Sequence, residues 1–247
     1  ILKTGGGRCN LTNEIYDYKE LASNYPRGEK FLYSVFSRFG VGETMAWFEN
    51  NGIKLKTEDE NKVFPQSDSA AEVRNLFLKK AKELDIKIIK NVKIEKVLYE
   101  NGKFLIKSIQ GSTVVFDKLI ISTGGNHGKD ADFGYKIARD FGHSVTELRP
   151  SLNAFIIKSN NIKPLTGVSV QNAGISAFIE NQKTAEVQGD FIFTHRGISG
   201  PAVFKLSSLC TFENSVQDKP FTIKIKPAPE FSEEQLDKDF LKKIETD

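Results

Sequence analysis

A run of three glycines, Gly5 to Gly7, stands directly before Arg8 in the sequence. Glycine has no Cβ and adopts positive φ easily, so the amides of such a loop can approach a ligand closely. Amide donors beside a forked guanidinium suit an anion such as a pyrophosphate. A glycine triplet taken alone nevertheless favours a simpler interpretation, an ordinary turn whose arginine is solvated.

The two residues after Arg8 are small or polar. Cys9 could carry a reactive thiol because it follows a cation. No second cysteine lies near it, so a packed small residue is the favoured interpretation. Asn10 could bind a ligand or satisfy the backbone of the loop. The other cysteine, Cys210, is distant, so the spacing predicts neither a disulfide framework nor a zinc site.

A glycine pair follows an apolar segment later in the chain. Residues 118–122 predict a compact strand, and Thr123, Gly124 and Gly125 come directly after it. Open α/β sheets bind ligands at the carboxyl ends of their strands, where glycine permits close approach. The signal is partial, because many strands end in glycine simply to turn and no GxGxxG follows an N-terminal strand.

Residues 193–201 place several polar side chains just before a predicted helix. His195 could act as an acid or a base near neutral pH, although a structural histidine on a loop is the favoured role. Ser199 lies between Gly197 and Gly200. No serine, histidine and carboxylate have a spacing that predicts a hydrolase triad, and three scattered histidines predict no metal site.

The elements that would position these residues follow from hydrophobic periodicity. Helices are predicted in two stretches of residues 29–50 separated by Gly40 and Gly42, and over about 70–84 and 131–141. Ser69 and Glu72 have the spacing of a capping box. Strands are predicted at 53–56, 62–64, 86–89, 92–99, 104–109 and 113–116, with Asn101–Gly102 as a hairpin turn. This order is that of an α/β nucleotide-binding domain with an antiparallel excursion.

After Pro150 the pattern changes to short strands separated by turns. They are predicted at 154–158, 168–170, 175–179, 190–194 and 221–226. Pro201 opens a short helix to about residue 208, and Ser232 with Gln235 predicts a second capping box. We therefore predict a mixed α/β fold with a domain at 1–150 and a small β-barrel or sandwich at 151–247.

Composition excludes several classes of function. Hydrophobic residues make up 39% and charged residues 27%, as in globular proteins, and no apolar run is long enough to span a bilayer. The 35 basic residues exceed the 32 acidic ones by only three, without blocks of like charge. We expect a cytoplasmic protein that binds neither a membrane nor a nucleic acid.

Three segments together resemble one protein family. They are residues 5–13, Val63-Phe64-Pro65 with Ser67, and residues 193–201. They look like motifs of the bacterial NAD(P)/FAD-dependent oxidoreductases of the BaiN/YhiN-like, or aminoacetone-oxidase-like, family. Residues 119–125 and 142–152 follow the same order, so the resemblance covers nearly the whole chain.

The resemblance implies a flavoprotein of the two-dinucleotide-binding type, in which a β-barrel insert with a helical portion interrupts the FAD domain. The chain would be an internal fragment. Residues 1–150 would be a partial FAD-binding domain without its first βαβ unit, and residues 151–247 the insert with the start of its helical portion. His195, Gly197, Ser199 and Gly200 would lie near flavin or substrate at the domain junction. The FAD contacts that the resemblance implies are Gly5, Gly6, Gly7, Arg8, Cys9, Asn10, the backbone of Ile94 beside adenine, Thr123, Gly124 and Gly125.

The leading hypothesis is an FAD-dependent oxidoreductase that transfers a hydride between a small organic substrate and FAD, with NAD(P)H or O₂ as the other partner. This chain alone is expected to be inactive. The flavin carries the chemistry in such a protein, so the sequence names no catalytic acid or base. The alternatives are a flavoprotein acting on tRNA and a non-catalytic α/β nucleotide-binding or interaction module.

Overall fold

The computed structural model describes residues 1–2, 4–125, 132–212, 220–232 and 234–238. The chain divides into two compact units, Ile1–Val145 and Thr146–Asp247. Whether these units correspond to the predicted domains 1–150 and 151–247 of an intact protein stays a prediction. Among the described residues, none of the helices combines the length and the apolar character needed to cross a membrane.

The first unit contains two small antiparallel sheets. Strands β1 (Thr12–Asn13), β2 (Leu55–Glu58) and β3 (Lys62–Pro65) form one sheet in the order β1-β3-β2. Strands β4 (Ile94–Glu100), β5 (Lys103–Ser108) and β6 (Thr113–Phe116) form a meander in chain order. The turn between β4 and β5 has positive φ at Asn101 and Gly102, which confirms the predicted hairpin.

The described residues of the first unit form five α-helices: α1 (Tyr18–Ser23), α2 (Glu29–Phe36), α3 (Val41–Asn50), α4 (Ala70–Glu83) and α5 (Phe133–Asp140). Gly40 precedes α3, but Gly42 lies inside that helix, so the predicted break at both glycines was wrong for Gly42. Helix α5 ends before Gly142, whose φ of 81° confirms the predicted glycine cap. The predicted start of α5 at residue 131 lies outside the described residues.

The predicted capping box at Ser69 and Glu72 was wrong. Ser69 is the N-cap of α4, but its side chain makes no capping hydrogen bond. Asp68 has a φ of 53°, and this left-handed turn brings the preceding Ser67 to Glu72 instead. The hydroxyl of Ser67 donates to the Glu72 carboxylate.

Helices α3 and α4 share the buried core of the first unit. Phe48 and Ile53 pack there with Val73 and Leu76. Trp47 stacks on Phe77 at a centroid distance of 5.5 Å. The buried Val73 and Leu76 belong to the apolar face that periodicity predicted for α4.

Two predicted strands, residues 86–89 and 118–122, are not strands in the structure. A strand needs a neighbour to accept and donate its backbone hydrogen bonds, and among the described residues neither segment has one. Ile120 is accordingly 88% exposed. The strand pairs of the described residues are all antiparallel, so the parallel sheet expected of a nucleotide-binding domain is not formed by them.

The second unit is built on one antiparallel sheet that curls into a half-barrel. Its strands are β7 (Phe155–Ile156), β8 (Ser169–Ile179), β9 (Gln182–Thr194), β10 (Gly197–Ser199) and β11 (Thr222–Lys226), in the order β11-β8-β9-β10-β7. The separate strands predicted at 168–170 and 175–179 form the single strand β8, with a register shift between Val170 and Ala173. The mixed α/β fold with a β-barrel-like second part is therefore confirmed.

Helix α6 (Pro201–Cys210) covers one face of this sheet. Its Val203 and Leu206 are fully buried against Ile175, Phe191 and Ile198. Pro201 occupies the first helical turn as predicted. Farther along the chain, the capping box of Ser232 and Gln235 is confirmed, because each backbone N–H donates to the other side chain, at 2.8 and 3.2 Å.

Candidate functional site

Residues 4–10, here called the glycine loop, alternate in backbone conformation at Gly7, Arg8 and Cys9. Gly5–Gly7 form one tight 3₁₀ turn, within which Gly6 and Gly7 have φ of 70° and 71°. Arg8 is right-handed at φ −90° and ψ −32°, and Cys9 is left-handed at φ 64°. Such alternation turns successive amide N–H groups toward one concave side, which makes a nest for anions.

The backbone of the glycine loop is open where a ligand would approach. A Cβ added at Gly7 would meet no atom within 4 Å, and at Gly6 it would meet only the Arg8 side chain, at 3.9 Å. The hydroxyl oxygen of Thr4, at the start of the loop, is buried and has no hydrogen-bond partner among the described residues. The Gly7 N–H donates to the Thr4 carbonyl at 3.3 Å. The open space at the glycines and the unpaired Thr4 hydroxyl fit the pyrophosphate of a dinucleotide.

The end of the glycine loop is attached to the sheet and to the core of the first unit. The N–H of Leu11 donates to the carbonyl of Val63 at 2.8 Å. Cys9 and Leu11 both pack against the core between α3 and α4. The packing supports the interpretation of Cys9 as a packed small residue, and its contact with FAD stays a prediction.

Arg8 takes part in a closed ring of four alternating charges, here called the charge ring. Its Nε donates to Asp68 Oδ1 at 2.7 Å, and its Nη2 donates to Glu58. Lys56 closes the ring, with Nζ 2.6 Å from Asp68 Oδ2 and 3.0 Å from Glu58 Oε1. Arg8 remains partly exposed, as an arginine in an ordinary turn would be, but two carboxylates hold its side chain. Its pairing with a phosphate stays a prediction.

The charge ring shifts the titration of its own members. Arg8 and then Lys56 hold the pKa of Glu58 below its ordinary value, and Lys56 and then Arg8 do the same to the pKa of Asp68. The two carboxylates in turn raise the pKa of Arg8 and of Lys56. All four groups are therefore charged across the neutral range, and their charges cancel.

Sequence reasoning missed three members of the charge ring. Lys56 and Glu58 stand two positions apart, so they share one face of β2, which is a weak signal that the sequence does contain. Asp68 reaches the ring from the turn before α4, which no local pattern indicates. Phe64, within the second motif of the family resemblance, lies under the guanidinium with its ring centroid 4.2 Å from Arg8 Cζ.

Thr123 was predicted to follow a strand, but the structure places it against α5 instead. A Cβ on Gly134, in the first turn of α5, would stand 2.2 Å from the Thr123 hydroxyl oxygen. Sequence reasoning missed Gly134 as well.

The other predicted dinucleotide contacts lie elsewhere in the first unit. Gly124 has a φ of 80°, and Ile94 begins β4 opposite Ser108. The dinucleotide contacts proposed for Ile94, Thr123, Gly124 and Gly125 stay predictions.

His195 is exposed in the tight turn between β9 and β10. The Thr194 hydroxyl accepts the N–H groups of Arg196 and Gly197 at 3.4 and 3.1 Å, which fixes the turn. A Cβ on Gly197 would lie 1.9 Å from the carbonyl oxygen of Phe155. Packing within the sheet thus explains this glycine without any ligand.

The other two residues predicted near a flavin or substrate have structural surroundings too. Gly200 has a φ of 112°, and its Cβ would come within 3.0 Å of Phe191 Cα. Ser199 pairs with Ile192 in the sheet. The role of His195, Gly197, Ser199 and Gly200 near a flavin or substrate stays a prediction.

A family model described as the HI0933-like protein Rossmann domain matches residues 1–218. The match includes all three segments that carry the resemblance seen in the sequence.

Three curated proteins are similar to the chain over most of its length. A 3-dehydro-bile acid delta(4,6)-reductase of Clostridium scindens is 32% identical over 245 residues, which are 97% of this chain and 58% of that protein. A ribosomal RNA dihydrouridine synthase of Escherichia coli is 30% identical over 214 residues, 84% of this chain and 51% of that protein. A ribosomal RNA dihydrouridine synthase of Haemophilus influenzae is 26% identical over 226 residues, 88% and 54%. The chain spans a little more than half the length of these relatives.

Proposed function

Because the chain belongs to the HI0933-like family, as its resemblance predicted, we propose that the protein is an FAD-dependent oxidoreductase. The observation that carries the proposal is the glycine loop. Its alternating backbone at Gly7, Arg8 and Cys9 suits an anion, and the open space at Gly7 leaves room for one. A dinucleotide cofactor presents such an anion in its pyrophosphate.

The chain's own residues would hold the cofactor and not transform it. Gly5, Gly6 and Gly7 with Arg8, Cys9 and Asn10 would lie along the FAD, close to the pyrophosphate or the flavin. The Thr4 hydroxyl would gain a partner. The backbone of Ile94 would contact adenine, and Thr123 to Gly125 would approach the dinucleotide. These roles are proposals that follow from the family resemblance.

The reaction class that we propose is the reduction of a carbon–carbon double bond conjugated to a carbonyl. The names of the relatives describe such reductions, on a bile acid and on a uridine base. When bound and reduced by NAD(P)H, the flavin would supply a hydride to the β carbon while solvent supplies a proton to the α carbon, which returns the flavin to its oxidised form. O₂ stays the alternative partner only for the opposite direction, in which the flavin takes a hydride from an organic substrate and passes the two electrons to O₂.

For the substrate, we propose a small organic molecule first. The nearly balanced charge of the chain, +3, supports this over an RNA-binding role. A uracil base in RNA is the second candidate, which the two dihydrouridine synthases among the relatives favour. We also propose a cytoplasmic location, because Cys9 and Cys210 are both reduced cysteines and form no disulfide.

A visible spectrum of the full-length protein tests the flavin proposal. We expect flavin absorbance and quenched flavin fluorescence after addition of FAD, and bleaching on anaerobic addition of NADH or NADPH. Absence of bound flavin would overturn the oxidoreductase proposal. Bound flavin that neither a nicotinamide nor an organic substrate reduces would favour the non-catalytic nucleotide-binding module.

The electron acceptor is tested on the reduced protein under anaerobic conditions. We expect a conjugated enone to reoxidise it faster than an unmodified RNA transcript does. Faster reoxidation by RNA, together with RNA binding that weakens steeply with salt, would reverse the order of the two substrate classes.

A further inference from the structure

We propose that Arg8 is a positioning residue: it holds the glycine loop in its anion-binding conformation through the charge ring, and it does not itself pair with a phosphate. The inference rests on the proposed binding of FAD at this loop. If Arg8 bound a phosphate directly, removal of the Glu58 and Asp68 carboxylates should not weaken FAD binding. If Arg8 positions the loop, their removal should weaken it.

The first argument is the state of the guanidinium. Its Nε and Nη2 already donate to Asp68 and Glu58. Phe64 covers one of its faces. A phosphate that approached these donors would meet two carboxylates of its own charge, which repel it. The ring is electrically neutral, so Arg8 offers little net attraction to an anion.

The second argument is the place of Arg8 in the chain. It is the right-handed residue between left-handed Gly7 and Cys9, and the concave row of amides depends on that alternation. Glycine-rich backbone is conformationally free and is expensive to order. The side chain of Arg8 ties this backbone to β2 through Glu58 and to the turn before α4 through Asp68. The charge ring therefore restricts the backbone conformation of Arg8, on which the arrangement of the amides depends.

The experiment measures FAD dissociation constants for Arg8→Ala, for the double variant Glu58→Gln/Asp68→Asn, and for the triple variant. If Arg8 positions the loop, removal of the carboxylates should weaken FAD binding about as much as removal of Arg8, by roughly three- to tenfold, as for two partly exposed ion pairs. The triple variant should be no weaker than either, because all three changes break the same ring.

A second readout needs no cofactor. Hydrogen exchange of the amides of residues 5–10 in FAD-free protein should accelerate in Arg8→Ala and in Glu58→Gln/Asp68→Asn alike. This measurement tests the role of the ring even if the protein binds no FAD, so its failure and the failure of the proposed function are distinguishable.

The matched control is Glu83→Gln, which removes a carboxylate paired with Lys80 at the far end of α4. It should change neither FAD affinity nor exchange in the glycine loop. The proposal is overturned if the double carboxylate variant binds FAD as tightly as the wild type, or more tightly, while Arg8→Ala binds weakly. That result would mean that a freed Arg8 pairs with the phosphate. Unchanged exchange in both variants would overturn it too.

Discussion

Thr123 stands over the first turn of α5, so that its hydroxyl oxygen is 2.2 Å from the point where a Cβ on Gly134 would lie. Gly134→Ala should therefore destabilise the first unit by about 1–3 kcal/mol, the usual effect of overpacking. Urea unfolding followed by the fluorescence of Trp47, the single tryptophan of the chain, measures this unit alone.

The same contact supplies its own control. In Thr123→Ala/Gly134→Ala the offending oxygen is gone. The remaining neighbours of the new methyl group are the Cβ of residue 123 at 3.4 Å and the Cγ2 of Ile121 at 3.5 Å. The double variant should regain most of the lost stability. Additive losses in the two single variants would contradict the packing explanation.

Replacement of Gly7 should be unfavourable for a conformational and not a steric reason. Its φ is 71°, and an added Cβ would meet no atom within 4 Å. Gly7→Ala should cost about 1–2 kcal/mol for the left-handed backbone and should weaken FAD binding. Gly42→Ala is the matched control, because Gly42 lies within α3, has no close neighbour and has no positive φ. It should stabilise the protein by about 0.4–1 kcal/mol and leave FAD affinity unchanged.

Gly197→Ala should disrupt the second unit. The added methyl group would meet the backbone of Phe155 and Ile157, which cannot turn aside as a side chain can. We expect a loss of about 3 kcal/mol or more in far-UV circular dichroism melts. Gly174→Ala, in β8 with its nearest atoms at 3.6 Å, should be tolerated. Equal effects of the two changes would refute the steric argument.

The charge ring predicts acid sensitivity of the first unit. The folded pKa values of Glu58 and Asp68 are depressed, so as the pH falls the unfolded chain takes up these protons first. Their contribution is present above about pH 4, the range of unperturbed carboxyl groups, and is lost as the pH falls through the folded values. Urea unfolding between neutral and acidic pH should be less pH-dependent in Glu58→Gln/Asp68→Asn than in the wild type. Glu95→Gln, outside the ring, should retain the wild-type dependence.

How far the sequence predicts the structure depends on whether a feature is local. The turn at Asn101–Gly102 and the helix α4 depend on nearby residues, and both were predicted. Residues 118–122 were predicted as a strand on their composition, but a strand exists only with a partner, and none of the described residues provides one.

The candidate site follows the same rule. The glycine loop was found from its composition, because three consecutive glycines indicate a backbone that can adopt positive φ. The partners of Arg8 were not found, since Glu58 and Asp68 reach it across the fold. The steric role of Gly134 also depends on a distant residue, Thr123.

The charge ring also bears on the order in which the chain folds. It joins Arg8 to residues 50 and 60 positions away, and the entropy of closing such loops must be overcome before the contacts form. Helices α3 and α4 and the short hairpin of β2 and β3 close much smaller loops, and contacts of low sequence separation generally form faster. The ring should therefore assemble on a core that already exists. The amide row for the cofactor would then become fixed only after the helices around it have formed.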